Sequence, residues 1–205
     1  MSFQQELSSW FAPNPPSLEV AEIPALQTKA PNTPQLHLTP GQPTIIIFLR
    51  HCGCPFAEKT YLNLREAARA HKNISFKAIS HSSGAATDAW LKSLPQHGSE
   101  TSNLEMIVDE QTEIYRAWGL GVATYAHVLS PGSMYSLWKL GQSDNIWNRP
   151  TESGSRWQMG GFFAVDGEGV VRWGRAAERA DDVTDFREAV QALEGRKEEK
   201  TGGRS

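Results

Sequence analysis

Arg50-His51-Cys52-Gly53-Cys54-Pro55 carries both cysteines of the 205-residue chain, set beside a guanidinium and an imidazole. Thr44 to Leu49, before it, is an apolar and largely β-branched run that reads as a buried strand. Pro55, after it, suits the first turn of a helix. The helical pattern continues through Tyr61, Leu62 and Leu64 to the alanines at 67, 68 and 70. Cys54 is therefore expected at or just before a helix N-terminus. Unpaired N–H groups and the helix dipole there favour a thiolate, and Arg50 and His51 add positive potential. Thiolate chemistry at Cys54 is the leading expectation, with Cys52 as a candidate partner. The alternative is a pair of buried, inert thiols.

The rest of the chain must position this loop. Residues 73–80 alternate apolar and polar and read as a second strand. His81 follows it at the same end as the cysteines. It is a candidate pocket residue, or else a solvated loop histidine. A helix is predicted from about Ala85 to Leu94, a third strand from Leu104 to Asp109, and a short helix from Glu110 to Trp118 closed by Gly119 and Gly121. Phe162–Val165 and Val170–Trp173 flank Asp166-Gly167-Glu168-Gly169 and form a β-hairpin. A last helix is predicted from Asp182, as N-cap, to Gly195, with Val183, Phe186, Val190 and Leu193 on one face. Residues 196–205 are expected to be disordered. This β-α-β-α-β-α, long connection, β-β-α order predicts a thioredoxin-like α/β domain over 44–195, with a central mixed sheet flanked by helices. Its chemistry would gather at the C-terminal ends of the parallel strands.

Residues 1–43 form a Pro-rich N-terminal arm, expected to wrap the domain. Gln4–Phe11 is a candidate short helix and Ser17–Ala21 a candidate edge strand. Residues 120–158 mix Tyr125, Tyr135, Leu137, Trp138, Trp147 and Trp157 with Gly, Ser, Asn and Pro. The segment reads either as a binding wall above Cys54 or as a satellite core under a long loop. On the first reading Trp138, Trp157, Gln158 and Gly160 join His81 as pocket candidates.

Net charge is −3, which does not favour nucleic-acid binding. No apolar segment is long enough to span a bilayer. The opening residues lack the basic region and apolar core of a signal peptide. With only two cysteines, a cytoplasmic setting is expected rather than a secreted disulfide scaffold. No cofactor is expected. A metal site built from His51, Cys52, Cys54 and His81 would be crowded, with no second cysteine pair to complete it.

Three segments carry a resemblance. Phe48-Leu49-Arg50, Cys54 and Ala57 resemble the F-x-R-x-x-x-C-x-x-C motif of the peroxiredoxin-like 2 group, in the alkyl hydroperoxide reductase/thiol-specific antioxidant superfamily. Tyr115-Arg116-Ala117-Trp118-Gly119-Leu120 resembles that group's Y-R-A-L-G-L segment. Trp157 to Val165 resembles its Q-x-G-G-plus-strand segment. The resemblance covers about residues 40–195 and implies a thioredoxin-like fold and an antioxidant thiol oxidoreductase. Cys54 would attack a peroxide or disulfide. Cys52, or an external reductant such as thioredoxin or glutathione, would resolve the product, and Arg50 and His51 would stabilise the thiolate. A homodimer is a further possibility. The departures are specific. Ala57 stands at the second cysteine of the motif. His51 and Ile47 replace the Thr/Ser and Pro of the P-x-x-x-[TS]-x-x-C signature of typical peroxiredoxins. Gly160-Gly161 stands where many thioredoxin-fold oxidoreductases have a cis-proline. Two other expectations remain: an enzyme using Cys54 on a small organic substrate held by the 120–158 aromatics, and a non-catalytic thioredoxin-fold binding protein.

Overall fold

The structure, a computed structural model, describes residues 19–122, 131–147 and 154–202. Strand β1 (Thr44–Phe48) is buried at every position, as its unbroken apolar run requires. It pairs in parallel with β2 (Ser75–Ser80), which pairs in parallel with β3 (Leu104–Val108). On its other side β1 pairs antiparallel with β4 (Gly161–Val165), and β4 with β5 (Val171–Ala176). The order β3-β2-β1-β4-β5 is the mixed sheet of a thioredoxin-like fold.

The pleat divides β1 between two cores. Ile45, Ile47 and Leu49 face a core built with α1 (Pro55–Ala70), α2 (Gly84–Ser93) and Phe186, Val190 and Leu193. Ile46 and Phe48 face a second core with Leu36, Tyr115, Trp118 and Phe163. Helix α3 (Glu113–Ala117) starts where the Asp109 carboxylate accepts the N–H groups of Glu113, Ile114 and Tyr115 at 2.8–3.2 Å. These bonds satisfy donors that a helix start leaves open. Helix α4 (Pro131–Asp144) lies in the long connection.

The described part of the arm, residues 19–43, runs along the domain. Ala21 N–H donates to Arg116 O, Gln27 N–H to Val171 O, and Gly41 N–H to Gly167 O. A Cβ on Gly119, which has φ +76°, would sit 2.5 Å from the Ile23 nitrogen, so glycine allows the arm to pass. Glu19 to Ala21 form no strand; the bridge lies instead between Lys29 and Val170. Gln4–Phe11, Ser17, Leu18 and Tyr125 lie outside the described residues. No helix among the described residues is long and apolar enough to cross a membrane.

The last helix, α5, spans Arg187–Gly202 rather than 182–195. Asp182 does not cap it, because its carboxylate pairs with Arg175 and accepts the Glu178 N–H. Asp185 accepts the Arg187 N–H instead. Gly195 does not end the helix, and the Arg-Lys-Glu-Glu-Lys run that follows consists of good helix formers. Of the predicted apolar face, Val190 and Leu193 are buried on the helix, whereas Val183 and the buried Phe186 precede it.

Tyr115 fastens the ends of β1 and β2. Its hydroxyl lies 2.6 Å from Leu49 O and 2.7 Å from Ile79 O and donates to one or the other. Tyr115→Phe removes that buried donor. Urea unfolding of this variant should show a loss of about 1–3 kcal/mol.

Candidate thiol site

Cys54 is the N-cap of α1, with extended backbone (φ −69°, ψ 124°), and Pro55 is the first helical residue. A turn delivers it: Cys54 N–H donates to His51 O at 3.1 Å, and Gly53 has φ +102°. A side chain disfavours that dihedral, so glycine is the residue the turn demands. The placement at a helix N-terminus matches the sequence expectation.

The two sulfurs occupy different surroundings. Both cysteines are free and buried. Cys52 Sγ lies 3.4 Å from Ser80 Oγ and 3.8 Å from Thr87 Oγ1. Its N–H donates to Ser82 Oγ. Ser80 and Thr87 hydroxyls are themselves bonded at 2.9 Å, so Cys52 sits in a cage of hydroxyls. Cys54 Sγ instead receives Arg50 Nη1 at 3.8 Å. Arg50 Nη2 donates to Arg156 O at 2.6 Å, which fixes the guanidinium. Arg50 Nε, buried, has no hydrogen-bond partner.

Both histidines are buried and neutral. His51 Nδ1 donates to the Cys52 carbonyl at 3.0 Å. Burial, then the nearby Arg156 and Arg50 charges, hold its pKa well below the ordinary value. His81 is not a solvated loop residue. It packs edge-on against Tyr115, and its Nε2 donates to Ser155 O at 3.1 Å. Burial lowers its pKa to about 4, against the raising effect of the Ser155 carbonyl. A Cβ on Gly154 would meet Ser82 Oγ at 2.7 Å and His81 Nε2 at 3.1 Å, so the 154–158 segment lies directly over this histidine.

A small pocket enclosing about 20 Å³ adjoins the loop, lined in part by Leu49, Arg50, Phe56, Ala57, Gly160 and Phe162. Of the pocket candidates, Gly160 lines it. A Cβ there would stand 2.8 Å from Phe48 O, so the close approach that glycine permits is to the β1 backbone. Gln158 is structural, its amide donating to Leu120 O and Gly121 O. Trp157 is buried. Trp138 does not line this pocket. It is 56% exposed on α4 beside the exposed Tyr135. The outward placement follows from how α4 is tied down, by Asp144 to Lys59 at 2.7 Å and by Ser136 to Asp181 at 2.7 Å. Among the described residues no group of three or more His, Cys, Asp or Glu could hold a metal ion.

Sequence reasoning missed Arg156, whose carbonyl anchors Arg50, and the hydroxyls of Ser80, Ser82 and Thr87. A signal for the hydroxyls existed. Ser80 ends β2 and Ser82 lies two residues beyond it, and Thr87 stands among alanines at a helix start.

The fold and the site together define a thioredoxin-fold thiol protein. A family model described as "AhpC/TSA antioxidant enzyme" matches residues 63–179, more than half of the chain. The chain belongs to this AhpC/TSA family, and its type of function is that of a thiol-dependent oxidoreductase. The match begins after the cysteine loop. No curated protein sequence matches this one significantly. Solved structures similar to it include AhpC of Enterococcus faecalis, at 16% identity and TM-score 0.53, over 81% of each chain. A thiol peroxidase from Chromobacterium violaceum is similar at 16% identity and TM-score 0.51, over 88% of this chain and 93% of the other. A yeast mitochondrial 1-Cys peroxiredoxin, resolved through glutathione/thioredoxin systems, is similar at 8% identity and TM-score 0.52, over 80% of this chain and 68% of the other. At these identities the likeness is one of fold.

The neutral histidines set an acid limit on stability. In the unfolded chain His81 takes up a proton near its ordinary value of 6.5, whereas in the fold it does so only near 4. The unfolded state therefore binds more protons between these values, and stability falls as pH falls. His81 alone should cost about 3 kcal/mol across that interval. The loss should be complete below the folded value and absent above the unfolded one. His81→Gln, which keeps an N–H for Ser155 O, should flatten the profile of unfolding free energy against pH in this range.

Proposed function

We propose that the protein is a peroxiredoxin-like thiol peroxidase in which Cys54 is the attacking thiolate. The observation that carries this reading is the Arg50–Cys54 pair: a guanidinium, buried and anchored by a backbone carbonyl, within 3.8 Å of a sulfur that caps a helix. A fixed cation in a dry site stabilises charge strongly, because little reorganisation is needed during reaction. Cys54 Sγ attacks the distal oxygen of a hydroperoxide. The S–O bond forms, the O–O bond breaks, and the second oxygen leaves with a proton as an alcohol or water. Sulfur is oxidised to a sulfenic acid. Arg50 neutralises the thiolate before attack, and its unpartnered Nε offers a donor to an oxygen in the pocket. His51 orients the loop through the Cys52 carbonyl and serves as a positioning residue.

The small-organic-substrate reading draws no support from Trp138 and Tyr135, which are exposed. The reading as a binding protein with inert thiols predicts slow alkylation and no response to peroxide.

Hydrogen peroxide consumption, with dithiothreitol as reductant, tests the proposal. Cys54→Ser should abolish turnover. Arg50→Gln should lower the rate of sulfenate formation about a hundredfold. Turnover that survives Cys54→Ser would sink the assignment.

A further inference from the structure

Arg50 is held by backbone that comes from far along the chain. Its Nη2 donates to Arg156 O at 2.6 Å. The preceding carbonyl, Ser155 O, accepts from His81 Nε2 at 3.1 Å and from Gln158 N–H at 3.3 Å. Two successive carbonyls of one turn therefore meet two buried side chains, Arg50 just beyond β1 and His81 just beyond β2. The bond from Gln158 closes the turn on itself. The bond from His81 ties the closed turn to the end of the sheet.

His81 is a firm anchor. Its ring packs edge-on against Tyr115, whose hydroxyl reaches the carbonyls of Leu49 and Ile79. The approach of the turn is close. Gly154 precedes it at φ +86°, and a Cβ there would stand 2.7 Å from Ser82 Oγ and 3.1 Å from His81 Nε2. Beyond the turn, the Gln158 amide and the Met159 N–H donate to Gly121 O. Between these two fixed points lies the Arg156 carbonyl. Among the described residues, the hydrogen bonds of the Arg50 guanidinium go to that carbonyl and to Cys54 Sγ, and its Nε has none. One oxygen thus orients the cation. A shift of that oxygen carries the other terminal nitrogen away from the sulfur, and a cation aids charge development only where it is held in place beforehand.

We propose that His81 is a positioning residue for the thiol reaction: by holding Ser155 O it fixes the neighbouring Arg156 carbonyl, and through it the Arg50 guanidinium against Cys54. This rests on Cys54 being the attacking thiolate. His81 exchanges no proton or electron with the substrate; its part is geometric.

Sulfenate formation at Cys54 of the full chain, timed by peptide mass spectrometry after a hydrogen peroxide pulse, tests this. His81→Leu should slow it about tenfold, less than Arg50→Gln does. His81→Gln, which keeps an N–H for Ser155 O, should recover most of the rate. The double variant Arg50→Gln with His81→Leu should fall within about twofold of Arg50→Gln alone, because the histidine acts only through the arginine. The dependence of Cys54 alkylation on pH should move in the same direction in His81→Leu as in Arg50→Gln, and by less. If His81→Leu does not fold, Gly154→Ala takes its place. The added methyl pushes the turn off the same histidine, so it should slow the reaction in the wild-type background and not in the Arg50→Gln background. Unchanged rates in His81→Leu, an equal loss in His81→Gln, or losses that multiply in the double variant each overturn the inference and leave the reading of Cys54 intact. A wild-type Cys54 that ignores peroxide removes that reading and the inference with it.

Discussion

The Arg50 guanidinium organises the site. It touches the Cys54 sulfur with one terminal nitrogen and the Arg156 carbonyl with the other, joining segments 106 residues apart in sequence. A charge held this deep is tolerable only when fixed by good acceptors. Its environment dictates much around it. Gly160 stays bare so that the chain can pass Phe48 O and the Arg50 stem. The two nearest imidazoles remain uncharged. The helix that bears Cys54 must start where it does for the sulfur to meet the cation.

Beneath this lies β1, which serves both cores and carries the reactive loop from its C-terminal end. Burial on both faces forces a continuous apolar run and leaves chemistry to the residues just beyond it. Tyr115 then reaches the carbonyls at the ends of both β1 and β2 and packs against His81, so that the floor under the histidine is tied to the sheet.

Legibility in the sequence follows how local each signal is. The run at 44–49, the Cys54-Pro55 boundary and the Asp-Gly hairpin turn are decided by neighbouring residues, and each lies close to its expected place. The start of the last helix departs from its local signal because Asp182 has a stronger distant partner in Arg175. Trp138 faces outward against expectation because periodicity tells which residues share a face, not whether that face meets a pocket or solvent. The 154–158 segment is the clearest case of information absent from local pattern. Its carbonyls, not its side-chain types, hold Arg50 and His81.

The arm has a consequence for how the molecule behaves among its own copies. β5 is the last strand of the sheet, and an open strand edge is a template for pairing with other chains. Val171, at the start of that edge, has both its N–H and its carbonyl taken, by Thr28 O and Gln27 N–H. The proline-punctuated arm thus acts as a sacrificial neighbour. It fills the first rungs of the ladder with a segment whose prolines, having no N–H to give, resist further propagation. Protection of this strand edge is in this sense written into residues other than those that hold the thiol.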